Sequence, residues 1–279
     1  MTRRARHGTP AFMIPGAQKC GTTALAVFLQ RHRRLQLSAT KEPDFFSRDA
    51  RYGGLGLDRY RAEFRRRRSL GRDVFFEASV SYLAHPLVPE RLARFDPELR
   101  FVVMVREPAS RAYSAWNMYR TLVTDPGERI RFEAWLSDHN AEDRAAGTAM
   151  LADDRYPPFA EAVGTELETI ERHGPRWTLP GLVSWGLYAE QLERFLAHFP
   201  AERFLVVEDR ELAGAPARTL DRVVDFLGLP PHDWGDSFPR VLAGRYDEGA
   251  DGPTLDRLRE FYAGPNRRFF ELVGREFDW

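Results

Sequence analysis

A glycine-bounded loop joins a short apolar segment to a helical one near the start of the chain. Ala11 to Pro15 is apolar and predicts a buried strand, and apolar residues at helical spacing follow Thr23. Between them, Gly16 and Gly21 enclose four residues. A strand, a glycine-bounded turn and a helix N-terminus together form a cradle for phosphate, because the first N–H groups of a helix point at an anion.

The loop departs from the usual nucleotide triphosphatase pattern in two respects. Thr22 stands where that pattern has its lysine, and Lys19 lies three residues earlier, inside the loop. A triphosphatase also needs an acidic Mg²⁺ ligand after a later strand, whereas the strongest later strand, ending at Val105, is followed by Arg106. The sequence therefore predicts a phosphate site without the usual metal ligands. The alternative is a tight turn with incidental polar residues.

Further apolar runs alternate with helical patterns along the chain. This alternation predicts an α/β fold with a central parallel sheet flanked by helices. Residues 121–180 show a looser pattern with two helical patches, and two short helices are predicted at Thr254–Tyr262 and Arg267–Val273. We expect one domain over residues 11–279 after a basic leader of residues 1–10. The runs predicted as strands, besides the first, are Leu35–Ser38, Val74–Glu77, Phe101–Val105 and Phe204–Val207.

Composition narrows the possible settings of this 279-residue chain. Lys+Arg and Asp+Glu both number 41, which argues against a protein that coats nucleic acid by bulk charge. Cys20 is the single cysteine, so an internal disulfide is excluded and a reducing, cytoplasmic location is expected. No stretch approaches the roughly 18 apolar residues of a membrane span. No His/Cys/Asp/Glu cluster has the spacing of a metal site.

Only two lysines occur in the chain, Lys19 and Lys41, against a large excess of arginine. The excess is typical of a GC-rich bacterial genome. A compact ammonium on a flexible stem cannot be replaced by a planar guanidinium where the chemistry needs a point charge. Both lysines are therefore candidates for a role in chemistry.

Several segments resemble sulfotransferases that use 3′-phosphoadenosine 5′-phosphosulfate (PAPS). Gly16–Leu25 resembles their 5′-phosphosulfate loop, most closely that of heparan sulfate N-sulfotransferases, and Arg106–Ser114 is similar to their 3′-phosphate motif. Lys41–Phe46 resembles the segment that carries the acceptor base in heparan sulfate 3-O-sulfotransferases. Gly186–Tyr188 and Phe261–Trp279 are also similar to the family. The resemblance implies a P-loop-like three-layer α/β domain and PAPS as co-substrate, with no metal.

The resemblance also implies roles at the nucleotide. Lys19 would stabilise the negative charge that grows on the departing phosphate, and the N–H groups at the start of the helix would hold the 5′-phosphate. The alternatives are a solvated loop cation for Lys19 and a small filler residue for Cys20. The residues expected to contact the nucleotide are Lys19, Cys20, Gly21, Thr22, Thr23, Arg106, Ser114, Gly244, Arg245 and Tyr246.

Arg106 emerges from the carboxyl end of a predicted strand, where open α/β sheets bind ligands. Its guanidinium can fork onto the 3′-phosphate, and Ser114, two helical turns later, can donate to the same group. The alternative for Arg106 is an ion pair with a structural carboxylate. For Arg111 we expect a charge on the helix surface or beside the ligands, with a ligand role as the alternative.

Glu42 is the candidate general base, because the acceptor must lose a proton as it attacks sulfur. Lys41 beside it can orient the acceptor. Since Pro43 disfavours helix at the residue before it, we expect this pair in an extended loop. The alternatives are an exposed loop acid for Glu42 and His85 as the base, itself otherwise a helix cap.

Two positions depart from the family pattern. Ala243 precedes Gly244, Arg245 and Tyr246 where relatives carry a lysine in a loop that folds over the nucleotide, and Ala78 replaces a substrate-side lysine. We therefore predict a PAPS-dependent sulfotransferase acting on a hydroxyl, or alternatively an amine, of a small-molecule, lipid or glycan acceptor, with residues 121–180 on the acceptor side. The competing hypotheses are a P-loop kinase or NTPase and a nucleotide-binding module without turnover.

Overall fold

Five short apolar segments pair in one parallel sheet. The computed structural model describes residues 9–64, 73–241 and 251–279. The sheet order is β2-β3-β1-β4-β5, and every neighbouring pair is parallel. The predicted α/β class with a central parallel sheet flanked by helices is confirmed, and all five predicted strands form with ends shifted by at most one residue. The strands are β1 (Phe12–Ile14), β2 (Leu35–Leu37), β3 (Val74–Ala78), β4 (Arg100–Val105) and β5 (Phe204–Glu208).

Aromatic side chains stack between neighbouring strands and support the register. Phe12 of β1 lies opposite Phe76 of β3, and their rings stack with centroids 4.9 Å apart. Phe101 of β4 and Phe204 of β5 repeat the arrangement at 5.0 Å. Cross-strand aromatic pairs of this kind stabilise one register over its neighbours, since a shift by one residue would move each ring to the other face.

Helices make up most of the remaining described chain. A π-helical stretch covers Arg51–Leu55, and 3₁₀ turns cover Ser184–Gly186 and Ala201–Arg203. The α-helices are α1 (Thr22–Leu29), α2 (Gly56–Ala62), α3 (Ser81–Ala84), α4 (Val88–Phe95), α5 (Pro108–Thr124), α6 (Pro126–Leu136), α7 (Ala141–Met150), α8 (Phe159–His173), α9 (Tyr188–Leu196), α10 (Asp209–Gly214), α11 (Pro216–Phe226) and α12 (Gly252–Val273).

The described residues form two compact units. The first unit is drawn from Met1–Ser47, Arg51–Arg106 and Glu193–Ala243 and contains the whole sheet. The second is drawn from Arg48–Ala50, Glu107–Leu192 and Gly244–Trp279 and is helical. Within the first unit, α1 packs on β3 and α11 packs on β5. Within the second, α12 packs on α5 and α8.

The two helical patches predicted within residues 121–180, Phe132–Leu136 and Phe159–Ile170, are confirmed and lie in α6 and α8, whereas the first part of α6 and all of α7 were not predicted. The two stretches that were not predicted expose most of their residues, so a search for apolar periodicity misses them. Their start signals are nevertheless present. Asp125 accepts hydrogen bonds from the N–H groups of Gly127 and Glu128, and Asn140 accepts one from Asp143. Such caps satisfy N–H groups that a helix start leaves without partners.

The two short C-terminal helices predicted from the sequence are in fact one helix, α12, with Pro265 inside it. Proline removes one backbone N–H donor and usually interrupts a helix. Here the same helix face is buried on both sides of the proline, through Leu258 and Tyr262 before it and Phe269 after it. Burial of this shared face outweighs the lost hydrogen bond, because most helix stability in proteins comes from tertiary packing.

Candidate active site

The predicted phosphate loop runs from the end of β1 to the start of α1. Gly16 has φ +154°, and a Cβ atom there would lie 2.8 Å from the Cβ of Leu83, so no side chain fits. Gly21 has φ +82° and stands immediately before Thr22, the first residue of α1. No side-chain oxygen caps this helix at Gly21. The first N–H groups of α1 and the positive end of its dipole are therefore suited to an anion.

Backbone hydrogen bonds hold this loop to the neighbouring strand. The N–H of Ala17 donates to Met104 of β4 at 2.7 Å, and the N–H of Met104 donates to Gly16 at 2.8 Å. Within the loop, Lys19 has φ +67°, a conformation that residues other than glycine rarely adopt. Backbone in such sparsely populated regions persists only where the surroundings hold it, and it is common at ligand sites.

The thiol of Cys20 faces the protein interior. Cys20 is fully buried, and its Sγ atom donates a weak hydrogen bond to the carbonyl of Gln18 at 3.5 Å. Thr22 is also buried, whereas Thr23 is partly exposed. Filling space beneath the loop is the role that burial favours for Cys20, which was one of the two interpretations left open for it.

Arg106 stands directly after β4 and pairs with a carboxylate that the sequence analysis missed. Its Nε atom lies 3.5 Å from Oδ2 of Asp209, the first residue of α10 after β5. Burial raises the pKa of Asp209, although the guanidinium of Arg106 acts in the opposite direction. A Cβ at Gly21 would lie 3.9 Å from the Cβ of Asp209. Asp209 therefore lies close both to the guanidinium of Arg106 and to the start of α1.

A signal for Asp209 is present in the sequence. It follows the apolar run of β5, just as Arg106 follows that of β4, and the carboxyl ends of parallel strands meet at one edge of a sheet. Glu77 was missed in the same way. It is a charged residue inside the apolar strand β3 and is completely buried. A buried charge in a strand interior indicates a specific polar partnership.

Glu42 lies beside the end of β3. Its N–H donates to the carbonyl of Ala78 at 3.1 Å, and its carboxylate forms an ion pair with Lys41. Both side chains are about one-third exposed, at 31% and 30%. The predicted extended conformation is wrong, because Glu42 has φ +59°. The preference of the residue before a proline for extended backbone is overcome here by contacts that hold the following residues.

His85 follows α3 and contacts its own chain segment. Its Nδ1 atom accepts a hydrogen bond from the N–H of Leu87 at 3.3 Å. This local contact is the kind expected for a polar capping residue, which was the alternative to a role as base. Ala78, where relatives carry a substrate-side lysine, is fully buried at the end of β3.

Ser114 and Arg111 belong to the second unit, on α5. Ser114 is only 2% exposed. Arg111 is completely buried and donates through Nη2 to the carbonyls of Gly181 and Leu182, so the predicted position on the helix surface is wrong. The tail positions Gly244, Arg245 and Tyr246, with Ala243 before them, lie outside the described residues.

The described ranges contain neither a cluster of metal ligands nor a helix that could span a membrane. In residues 9–64, 73–241 and 251–279, no three His, Cys, Asp or Glu side chains are grouped as metal ligands would be. Over the same part of the chain, no helix has the length and apolar character needed to cross a membrane.

The first unit thus brings an anion cradle, a lysine, an arginine and a carboxylate to one edge of its sheet. The loop from Gly16 to Gly21 contacts β4 on one side of β1, and Glu42 contacts β3 on the other side. Cations beside a helix N-terminus can bind a phosphorylated ligand, and a carboxylate nearby can take a proton from a second molecule. This combination suits the transfer of a group from a phosphorylated donor.

Comparisons with known proteins identify the family. A profile described as "Sulfotransferase domain" matches residues 9–243. Human heparan sulfate glucosamine 3-O-sulfotransferase 6 is 30% identical over 98% of this chain and 75% of its own length. The mouse bifunctional heparan sulfate N-deacetylase/N-sulfotransferase 4 is 29% identical over 80% of this chain, which is 23% of that protein.

A solved structure gives the same result. The sulfotransferase from Alicyclobacillus acidocaldarius superposes with a TM-score of 0.67 at 25% identity, covering 96% of this chain and 97% of its own. The resemblance inferred from the sequence motifs is confirmed, and the kinase or NTPase alternative is not favoured. This chain therefore belongs to the sulfotransferase family, whose members are enzymes that transfer a sulfuryl group from PAPS.

Proposed function

We propose that this enzyme transfers the sulfuryl group of PAPS to an acceptor hydroxyl, with Glu42 as general base and Lys19 stabilising the leaving phosphate. The observation that carries the proposal is the position of the two loops. The loop containing Lys19 is bonded to β4, and the loop containing Glu42 is bonded to β3, on the two sides of β1. Donor and acceptor groups held at neighbouring strand ends favour an in-line attack.

On the donor side, the bond between sulfur and the bridging oxygen breaks while the bond from sulfur to the acceptor oxygen forms. Negative charge then grows on the departing 5′-phosphate. The ammonium of Lys19 and the N–H groups of Gly21, Thr22 and Thr23 are the donors assigned to this charge. Groups that meet charge present only in the transition state accelerate the chemical step.

The 3′-phosphate is assigned to Arg106 and Ser114. The resemblance and the position of Arg106 directly after β4 support this assignment, whereas the ion pair with Asp209 matches the alternative, a structural pair. Closure over the nucleotide is assigned to Gly244, Arg245 and Tyr246 on the resemblance alone.

On the acceptor side, Glu42 removes the proton of the attacking hydroxyl as the new bond to sulfur forms. The ion pair with Lys41 supports the role, because it fixes the position of the Glu42 carboxylate beside the end of β3. His85 is the alternative base, and an amine is the alternative nucleophile. The variants Glu42→Gln and His85→Ala separate the two candidate bases.

The acceptor is proposed to be a glycan, lipid or small molecule that meets residues 121–180. The names of the relatives indicate glucosamine hydroxyls of heparan sulfate as the acceptor of the human protein. Ile130 and Trp135 of α6 are 67% and 38% exposed, and the indole ring of Trp135 can stack on a sugar or lipid ring. The buried Ala78 in place of a lysine supports an acceptor less anionic than heparan sulfate.

The proposed setting is the reducing cytoplasm of a bacterium. A single buried cysteine, Cys20, and the large excess of arginine over lysine support it. The proposed reaction involves no metal ion and no nucleic acid.

The test combines nucleotide binding with sulfate transfer. Titration calorimetry is expected to show binding of adenosine 3′,5′-bisphosphate and weak or no binding of ATP with magnesium. Transfer of ³⁵S from labelled PAPS is then measured on heparan sulfate, a sterol and a phenol. We expect Glu42→Gln to reduce transfer at least about 100-fold, the size of effect typical of a lost general base. Its affinity for the bisphosphate is expected to remain that of the wild type.

The matched control is Glu90→Gln, which neutralises a half-exposed carboxylate on α4 in the same unit. It is expected to leave both measurements unchanged. Full activity of Glu42→Gln with loss in His85→Ala would assign the base to His85. Binding of the bisphosphate without turnover of PAPS on any acceptor, or by hydrolysis, would favour a nucleotide-binding module. Preference for ATP with magnesium would contradict the proposal.

A further inference from the structure

The loop that carries Glu42 has an unusual backbone. Glu42 and Asp44 have φ values of +59° and +50°, with Pro43 between them. Two left-handed residues other than glycine within three positions form only where specific contacts hold them. The orientation of the Glu42 carboxylate therefore depends on whatever holds this loop.

The hydroxyl groups of Ser79 and Tyr82 hold the loop by hydrogen bonds. The N–H of Asp44 donates to Oγ of Ser79 at 3.2 Å, and the N–H of Phe46 donates to the hydroxyl of Tyr82 at 3.2 Å. Both hydroxyl-bearing residues are completely buried. Besides the backbone bond from Glu42 to Ala78, the loop is thus attached through side chains.

Both hydroxyls donate hydrogen bonds to one buried carboxylate, that of Glu77. Ser79 donates to Oε1 of Glu77 at 2.8 Å, and Tyr82 is hydrogen-bonded to the same carboxylate. The hydroxyl of Tyr60 of α2 donates to the other oxygen, Oε2, while the Tyr60 ring packs on Phe45 and Phe46. Glu77 itself is 0% exposed, so it cannot touch a substrate.

The acceptor character of Glu77 determines the direction of these hydrogen bonds. A hydroxyl has one proton to donate, and an ionised carboxylate can only accept. When the hydroxyls of Ser79 and Tyr82 each donate a hydrogen bond to Glu77, the lone pairs of their oxygens face the N–H groups of Asp44 and Phe46. This gives two hydrogen-bond chains, each running from a loop N–H to a hydroxyl and on to the carboxylate. In each hydrogen-bond chain, every donor faces an acceptor.

The surroundings of Glu77 set the pH at which its carboxyl group ionises. Burial raises the pKa of Glu77 to about 7, the hydroxyl bonds from Tyr60, Tyr82 and Ser79 oppose this, and the charge of Asp44 adds to it. Asp44 is itself buried, and its Oδ1 accepts a bond from Ser81 at 2.8 Å. Above this pKa the carboxylate is ionised and both chains are complete.

We propose that Glu77 is a positioning residue for sulfuryl transfer, which acts through Ser79 and Tyr82 to hold the loop that carries Glu42. Its catalytic consequence rests on the proposed role of Glu42, whereas its effect on the loop does not. Glutamine has the shape of glutamate but carries N–H donors in place of one oxygen. In Glu77→Gln, a hydroxyl facing that amide group must turn round, and its chain to the loop is broken.

The test measures the loop and the reaction separately, at about pH 9, where a carboxyl of this pKa is ionised. Hydrogen exchange of the Asp44 and Phe46 amides reports on the loop and needs no substrate. We expect Glu77→Gln to speed this exchange about tenfold or more, a local opening rather than global unfolding. PAPS turnover is expected to fall by a similar factor, while the affinity for adenosine 3′,5′-bisphosphate stays unchanged.

Two variants show whether the effect passes through the proposed contacts. Ser79→Ala removes one chain and is expected to speed exchange at Asp44, and adding Glu77→Gln to it should then change Asp44 little further. Tyr60→Phe removes a bond to the same carboxylate without breaking either chain, so it is expected to leave exchange and turnover close to those of the wild type.

The outcomes separate the two proposals. Unchanged exchange at Asp44 and Phe46 in a folded Glu77→Gln variant would overturn the positioning role, as would an equal change in Tyr60→Phe. Should Glu77→Gln not fold, Ser79→Ala decides, and slow exchange at Asp44 in that variant overturns the role. If exchange changes as expected but Glu42→Gln remains active, the loop is held as described and only the assignment of the base fails.

Discussion

Glu77 in the first unit and Arg111 in the second are both completely buried, yet they meet their hydrogen-bonding needs differently. Glu77 accepts from the hydroxyls of Tyr60, Ser79 and Tyr82, so donors reach both carboxylate oxygens. A buried carboxylate with three hydroxyl donors is nearly fully satisfied, and such networks select one arrangement of the surrounding chain.

Arg111 is satisfied only at one end of its guanidinium. Nη2 donates to the carbonyls of Gly181 at 2.7 Å and Leu182 at 2.6 Å. Nε and Nη1 have no hydrogen-bond partner among the residues that the structure describes. Burial raises the pKa of the neighbouring Tyr262, which the charge of Arg111 lowers and that of Glu166 raises, so both charges lie within electrostatic reach of one hydroxyl.

The difference follows from what each group can do when water is removed. A carboxyl can take up a proton and become neutral, so its charge responds to its surroundings. A guanidinium stays charged at any pH a protein tolerates, so oriented carbonyls and nearby carboxylates must compensate it. Glu77 is therefore suited to a role that depends on pH, and Arg111 to a constant structural one.

The largest effect is expected from removing the charge of Arg111. Arg111→Leu takes the guanidinium donor away from the buried carbonyls of Gly181 and Leu182, and because each unsatisfied buried acceptor costs about 1–3 kcal/mol, we expect a loss of about 3–5 kcal/mol in the free energy of unfolding. Urea unfolding measures it. The control is Arg172→Leu, which breaks an exposed pair with Glu168 on α8 and should cost below about 0.5 kcal/mol. Equal losses in the two variants would contradict the structural role.

A smaller effect is expected from the titration of Glu77. Its pKa is about 7 in the folded protein and 4.5 ordinarily, so between these values the folded state holds a proton that the unfolded state has lost. The bound proton therefore stabilises the folded state. This contribution to the free energy of unfolding is fully present below pH 4.5 and is lost as pH rises to about 7, a change of about 3 kcal/mol. Urea unfolding from about pH 4.5 to about pH 8 measures it in wild type and in Glu77→Gln.

Only the slope with pH decides this prediction, because Glu77→Gln can change stability by a constant amount at every pH. The free energy of the wild type relative to the variant should fall across the window. Parallel curves for the two proteins would show that Glu77 does not titrate there.

The smallest effect is expected from Tyr60→Phe, which removes one of the three donors to Glu77. A hydrogen bond to a charged group contributes about 1.5 kcal/mol, and this is the loss we expect at about pH 9. Because the bond from Tyr60 lowers the pKa of Glu77, the pH window should also move upward. Tyr52→Phe is the control, since its ring packs on the same Phe45 and Phe46. If the pH window of Glu77 is the same in Tyr60→Phe as in the wild type, the result would argue against the hydrogen bond from Tyr60.

Sequence patterns were sufficient for the sheet and for part of the candidate site. The five strands are runs of apolar residues, and a run that is buried on both faces needs no information from the rest of the chain to be predicted. Gly16, Gly21 and Arg106 were likewise identified because each occupies a fixed place relative to a strand. The start of α6 and the whole of α7 were missed, since their caps rather than their apolar faces mark them.

Contacts between distant segments decided the remaining features. The left-handed backbone of Glu42 and Asp44 depends on hydroxyls more than thirty positions away in the chain. The burial of Arg111 depends on carbonyls that follow Pro180, and its neighbours along α5 carry no sign of them. A helical or extended preference is a property of a few adjacent residues, whereas these conformations depend on partners that meet only in the folded chain.

The amino-acid sequence by itself determined the α/β class, the sheet, the family and the segments expected to bind PAPS. Each of these depends on the spacing of residues that are close to one another in the sequence, so the sequence alone is enough to recognise it. Only the tertiary structure decided that Asp209 stands beside Arg106, that Pro265 lies within one continuous helix, and that Glu77 supports the loop of Glu42. The physical reason is that burial and hydrogen-bond partnership are properties of pairs of residues, and folding selects the pairs.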